Sequence, residues 1–380
     1  MIMKKRFILF VTTGLIFFSS FAQTTAKEWY TKGLDLKKQE EYKDAINAFK
    51  KAVSLQPNYA DALHQLGWCY NEEEMYNEAI DALKKEEKAD LTDKSSNSFE
   101  LGYAYKGVKK YDDALIWFNK AIDLDAGYTL AYKERGNTWY KKNEYEKAIA
   151  DFNKYENLAD DITDAAHYYN KGWCYNELKK FSDAVVSLKK CVALDDKYSD
   201  GYTELGYSCY ELNLNDEAIV NYRIAMALDN ETDYHPILGI ADVYFDNLKN
   251  YDSAIVYYEK GTQVQTKNKS AYYRLGWCYN DKEMYRKALE PLQAAVLLDA
   301  EYDKARTELG YAYYKLDRYD DALAQFRPVM NRDDKDELSR YYAGFCYYLK
   351  GDQVNLKKMI DQLKALNSTE YVETLMKYIK

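Results

Sequence analysis

The stretch AKEWYTKGLDLKKQEEYKDAINAFKKAVSLQPN, residues 26–58, decides the fold. Small and aromatic residues, Trp29, Gly33, Ala45, Phe49 and Ala52, fall on two helical segments, and most of this pattern returns down the chain. Glycines recur at Gly33, Gly67, Gly102, Gly136, Gly172, Gly206, Gly239, Gly276, Gly310 and Gly344, so 10 of the 16 glycines follow one period of 33–37 residues. Ala45, Ala79, Ala114, Ala148, Ala184, Ala218, Ala288 and Ala322 stand twelve residues after their glycines, and Ala254 stands fifteen after Gly239. The seventh unit therefore carries a three-residue insertion between its helices. An aromatic precedes these alanines by three, as Tyr42, Tyr76, Tyr111, Tyr145, Phe181, Tyr251, Tyr285 and Tyr319, with Asn215 breaking the series. Each unit reads as two antiparallel helices joined by a tight turn, with Gly and Ala where the axes approach closely. One pair cannot bury its own apolar face, so the units must stack into an all-α array. The 41 Tyr, 4 Pro and absence of a Pro, Gly or Ser rich linker agree with one continuous array rather than separate domains.

At Trp29, Gly33, Ala45, Phe49, Ala52 and Pro57 the first unit resembles the tetratricopeptide repeat family. Later units replace the closing proline, as at Ala126, Asp196, Asn230 and Ala300, which removes only a sharp helix stop. The resemblance implies a right-handed superhelical solenoid of about ten repeats with a concave groove. The repeats are expected over residues 26–366, starting near 26, 60, 95, 129, 165, 199, 232, 269, 303 and 337. Residues 367–380 are expected to form a capping helix with Tyr371, Leu375, Met376 and Ile379 on one side.

A second period lies on the first. GWCYN occurs at residues 67–71, 172–176 and 276–280, in every third repeat, and the next repeat carries ELGYAY, ELGYSC or ELGYAY. Between residues 66–79 and 275–288, 10 of 14 residues are identical. The array thus contains a three-repeat block three times, in repeats two to four, five to seven and eight to ten.

In the family, the stripe next to the core on the first helix of each repeat lines the groove. Here it holds Trp68, Tyr103, Asn137, Trp173, Tyr207, Trp277, Tyr311 and Phe345 one after the glycine. Four after the glycine it holds Asn71, Tyr140, Asn176, Tyr210, Asn280 and Tyr314. Aromatics give large contact area at low entropy cost, so this ladder with its amides is the expected partner site. The competing reading is that these residues pack on neighbouring helices. The family's clamp for a terminal carboxylate finds Lys133, Asn137 and Asn170 in place, but Gly201 and Glu204 stand where cations are needed, so that clamp is not expected.

Lys4, Lys5 and Arg6, an apolar run from Phe7 to Phe18 and the small residues ending at Ala22 have the order of a signal peptide cleaved after Ala22. The alternative is an uncleaved N-terminal membrane anchor. Loss of the three cations takes the charge from −9 to about −12, which disfavours nucleic acid and anionic membrane as partners. His64, His167 and His235 lie in separate repeats, and no phosphate-cradling loop, nucleophile motif or zinc spacing occurs, so neither catalysis, metal nor cofactor is expected. Cys69, Cys174, Cys278 and Cys346 replace a small buried alanine, and only Cys191 and Cys209 are placed to meet. The expectation is an exported, periplasmic or secreted, non-catalytic scaffold that binds a protein or peptide in its groove. Glycan binding through the Trp and Tyr rings is the alternative.

Overall fold

The computed structural model describes residues 25–89 and 93–379, so the expected signal peptide, residues 1–22, lies outside the described residues. Among these there is no strand, and no helix is long and apolar enough to cross a membrane. The chain divides into two compact units, residues 1–142 and 143–380. The first holds α1 (Ala26–Lys38), α2 (Tyr42–Leu55), α3 (Ala60–Glu72), α4 (Tyr76–Glu87), α5 (Lys94–Gly107), α6 (Tyr111–Leu124) and α7 (Thr129–Lys141). The second begins with α8 (Tyr145–Leu158), α9 (Ala165–Glu177), α10 (Phe181–Leu194), α11 (Ser199–Glu211), α12 (Asn215–Leu228) and α13 (Tyr234–Asp242). A π-helical turn, Val243–Asn247, leads to α14 (Tyr251–Val264), α15 (Lys269–Asp281), α16 (Tyr285–Leu298), α17 (Asp303–Lys315) and α18 (Tyr319–Arg332). Then come α19 (Glu337–Leu349), α20 (Gln353–Ala365) and α21 (Thr369–Met376). Within each unit every helix packs on the next, and first helices of neighbouring repeats also touch, as α3 on α5 and α15 on α17. The all-α, helix-turn-helix architecture is the one the periodicity predicts.

The glycine period has a direct packing cause. Gly33, Gly67, Gly102, Gly172, Gly206, Gly276 and Gly310 each face the residue sixteen places on: Phe49, Leu83, Phe118, Leu188, Tyr222, Leu292 and Phe326. A Cβ at any of them would come closer than 3.0 Å to that side chain. Phe49, Leu83, Phe118, Leu188, Leu292 and Phe326 are fully buried, so each of these glycines is the floor on which a fully buried side chain of its repeat rests.

Two repeats depart from this register. In the seventh, the insertion is absorbed by the π-helical turn, and Gly239 faces Tyr222 of α12 instead of a residue of α14. In the tenth, Gly344 faces Leu375 of α21. Leu375 is fully buried, Val372 is 9% exposed, and Tyr371 stacks on Tyr341 at 4.4 Å. The expected apolar side of this last helix is therefore corrected: seating Leu375 over Gly344 turns Met376, 50% exposed, to solvent, and Ile379 beyond the helix is 41% exposed.

The intra-repeat turns are made with a left-handed residue that is not glycine. Glu40, Glu74 and Lys109 in the first unit, and Lys179, Asn213, Glu283 and Asp317 in the second, have φ between 55° and 61°. Only the tenth repeat uses glycine, Gly351, at φ 77°.

Candidate functional site

The three block-specific asparagines are not open to solvent. Asn71, Asn176 and Asn280 are 3%, 5% and 4% exposed, and each couples its repeat to the next. Asn71 Nδ2 donates to the Glu100 carbonyl oxygen at 3.1 Å and to Glu100 Oε2 at 2.7 Å. Asn176 does the same to Glu204 at 3.4 and 2.8 Å, and Asn280 to Glu308 at 3.0 and 2.8 Å. Burial pushes the carboxyls of Glu100, Glu204 and Glu308 above the usual range, and the asparagine bond offsets this only in part. The sequence reading missed these glutamates, although a signal was present. The Glu of ELGY recurs in step with the Asn of GWCYN, and Glu204 was weighed only as an obstacle to a carboxylate clamp.

The same amides test the block repeat against itself. Asn176 Oδ1 accepts from Ser208 Oγ at 2.7 Å, whereas Asn71 and Asn280 Oδ1 are buried without a protein hydrogen-bond partner. Ala104 and Ala312 stand at the serine's place. Ala312→Ser is expected to stabilise the second unit by up to about 1 kcal/mol, net of serine's lower helix propensity, and Ser208→Ala to destabilise it by a similar amount. Urea unfolding midpoints check both.

The aromatic stripe is half-buried rather than open. Its members one after the glycine pack against the turn aromatic of the preceding repeat: Trp68 on Tyr42 at 5.6 Å, Tyr207 on Phe181 at 5.9 Å, Trp277 on Tyr251 at 5.0 Å and Tyr311 on Tyr285 at 6.0 Å. Trp277 also meets Phe245 edge-on at 5.2 Å, and Trp173 lies 6.2 Å from Tyr169. In the first unit, protein cations already cover two ring faces. Lys37 Nζ is 3.4 Å from the Trp68 centroid and Lys106 Nζ is 4.6 Å from that of Tyr103. Asn137 Nδ2 donates to Glu134 at 3.5 Å, and Lys141 Nζ is 5.1 Å from the Tyr140 ring. Sugar stacking needs an open ring face, and that of Trp68 is occupied.

Aromatics three before the glycine serve the joints between repeats. Tyr30 meets Tyr59, Phe99 meets Tyr128, Tyr169 meets Tyr198 and Tyr273 meets Tyr302, with centroids 5.1–5.3 Å apart.

The second unit brings three of the expected residues into one pocket. Trp277 and Asn280 of α15, and Glu308 and Tyr311 of α17, line an open cavity of about 280 Å³ bounded on its other side by Leu338 and Tyr342 of α19. Tyr342 is 4.9 Å from Tyr311 and 5.7 Å from Tyr314, and Phe345 is 6.1 Å from Tyr314. Tyr314 thus backs the pocket through Tyr342, and Phe345 stands behind Tyr314. Tyr210 is engaged elsewhere, donating to Asp246 Oδ2 at 3.0 Å.

The cysteines carry no chemistry here. All six are free and buried, Cys191 and Cys209 included, and burial pushes the thiols of Cys69, Cys174, Cys278 and Cys346 up to about 12. Among the described residues no group of three or more His, Cys, Asp or Glu is placed to hold a metal ion.

Comparison with known proteins agrees with this geometry. Family models described as "Tetratricopeptide repeat" match residues 26–59, 48–81, 97–128 and 166–198. Residues 247–329 match one described as "Anaphase-promoting complex, cyclosome, subunit 3". The heat shock protein STI1 of Saccharomyces cerevisiae is 38% identical over 98 residues, 26% of this chain and 16% of that protein. The Hsp70-Hsp90 organizing protein of Triticum aestivum is 25% identical over 231 residues, 50% of this chain and 39% of that protein. The chain thus matches well under half the length of either relative. The solved C-terminal part of a TPR repeat-containing protein from Cytophaga hutchinsonii superposes with a TM-score of 0.52 at 18% identity. It covers 65% of this chain and 99% of that one, and shows the same fold.

Proposed function

We propose that this chain of tetratricopeptide repeats is an exported, non-catalytic scaffold that holds a segment of another protein against the first helices of its repeats. The observation that carries the reading is the pocket between α15, α17 and α19, where Trp277, Tyr311 and Tyr342 surround a partly buried carboxylate. A pocket with aromatic walls and few polar groups is the usual form of a hot spot. The matched relative named as an organizing protein for Hsp70 and Hsp90 supports a scaffold role.

A photo-reactive residue placed at Leu338, 37% exposed at the pocket, is expected to cross-link one polypeptide in the source cells. Tyr311→Ala should then weaken binding of the purified segment by about 2 kcal/mol, roughly thirtyfold in Kd, measured where the variant is still folded because the Tyr311 ring also packs on Tyr285 and Tyr342. Cross-linking no better than from Val186, an exposed position on α10, removes the reading. Binding of an oligosaccharide, with no polypeptide trapped, would put the glycan alternative in its place.

Export rests on the order of cations, apolar run and small residues in positions 1–22. The intact mass of the protein from its source is expected to correspond to a chain beginning at Gln23. Retention of the first 22 residues would favour the membrane anchor.

A further inference from the structure

We propose that the pocket between α15, α17 and α19 receives a lysine or arginine side chain of the partner segment. The proposal rests on the scaffold reading above and names the chemistry of what that site takes.

Charge and shape both point this way. The walls are aromatic, from Trp277, Tyr311 and Tyr342, and the carboxylates Glu308, Asp281 and Glu283 line the cavity. No lysine, arginine or histidine is among its lining residues. Lys315 approaches from outside, 5.4 and 5.9 Å from the ring centroids of Tyr285 and Tyr311. A cavity of about 280 Å³ accommodates an ammonium or guanidinium head and part of its stem, and does not accommodate a helix. Ring faces attract cations, and a carboxylate behind them adds a charge-assisted hydrogen bond.

The first unit shows the interaction already made within the chain, between repeat one and the first block. Lys37 stands four after Gly33, and its ammonium lies 3.4 Å from the centroid of Trp68, the equivalent of Trp277. The charge of Lys37 also reaches Glu100, the equivalent of Glu308, and His64 adds a second favourable charge there. In the repeat before Trp277 the residue four after Gly239 is Val243, buried and neutral at the start of the π-helical turn, and the side chain that reaches the indole from that turn is Phe245, at 5.2 Å. The third block therefore keeps the indole, the asparagine and the carboxylate but lacks the cation. Burial raises the Glu308 carboxyl with only the Asn280 hydrogen bond to offset it. A cation supplied from outside would complete the set that Lys37 completes in the first unit.

The test uses the purified protein and short fluorescein-labelled peptides alternating alanine with arginine, lysine or glutamate, followed by fluorescence anisotropy at fixed salt. Arginine or lysine peptides are expected to bind and the glutamate peptide not to bind. Glu308→Gln, which can still meet Asn280, should weaken binding roughly tenfold or more with the melting temperature retained. Asp196→Asn removes the same charge from an exposed turn and should have little effect. Leu338→Lys offers the pocket a cation of the chain's own and should compete with the peptide, so the assignment remains testable if Glu308→Gln folds poorly. Equal binding of basic and acidic peptides, equal effects of Glu308→Gln and Asp196→Asn, or displacement by spermidine with the same sensitivity to Glu308→Gln would each overturn it. If basic peptides fail while the Leu338 cross-link still traps a polypeptide that Tyr311→Ala releases, the cation assignment falls and the scaffold stands. If the cross-link fails too, both fall.

Discussion

Phe326→Ala is expected to destabilise the second unit by about 3–5 kcal/mol, and adding Gly310→Ala to the same chain should return part of that loss. Phe326 is fully buried, and its ring lies on Gly310 so closely that a Cβ there would overlap it. Gly310→Ala alone therefore forces the ring out of place and should cost about 1–3 kcal/mol by overpacking. Once the ring is gone, that methyl enters the space it left, and alanine is the better helix former by about 1 kcal/mol. The two substitutions should be non-additive, with a coupling of about 1 kcal/mol or more, as read from urea midpoints of the four chains. Strict additivity would show that the glycine period has some cause other than this contact.

The same contact explains how much of the fold could be read from residues alone. The period, the helix pairs and the small residues are local and repeat ten times, so they are visible without coordinates. For seven of the glycines the partner, sixteen places on, lies within one repeat and inherits that regularity. What stayed hidden spans repeats. The Asn71–Glu100 bond joins residues 29 apart on different helices, and nothing near Asn71 marks it as buried. The amides expected to meet a ligand therefore turned out to hold the glutamates that could. The stripe aromatics show the same limit. Trp68 and Trp277 each lean on a turn aromatic of the repeat before, so part of each ring's surface belongs to packing. Nor does composition mark the left-handed turns, since Glu74 and Lys109 take a conformation for which glycine is the usual choice. The insertion in the seventh repeat could be counted, but not its form, because a π-helical turn depends on where its side chains find partners.

Those partners make the seventh repeat the place where one substitution should do comparable harm. Arg274→Met is expected to lower the stability of the second unit by about 2–4 kcal/mol, most of it at neutral pH. Arg274 Nη1 of α15 donates to Asp242 Oδ1 at 2.9 Å, to Asp246 Oδ2 at 2.5 Å and to Tyr258 Oη at 3.2 Å. Tyr258 donates in turn to Asp242 at 2.5 Å, Tyr210 donates to Asp246, and the guanidinium lies 5.1 Å from the Phe245 centroid. One side chain thus ties α13, the π-helical turn and α14 to the next repeat, where the regular glycine contact is missing. Removing it leaves two carboxylates close together without their cation. The figure stays below that for a fully enclosed pair because the side chains of Asp242 and Asp246 remain 37% and 29% exposed. Burial already raises the Asp242 carboxyl against the pull of Arg274, and loss of the cation raises it further. A carboxyl whose folded pKa lies above its unfolded value weakens the fold when ionised, and this penalty shrinks as pH falls from the folded value and is gone below the unfolded one. The deficit of Arg274→Met should therefore shrink as pH falls from neutral toward the unfolded carboxyl value of about 3.9, and the double variant with Asp242→Asn should recover part of it at neutral pH. A deficit independent of pH and untouched by Asp242→Asn would mean that Arg274 acts through its packing on Phe245 rather than its charge.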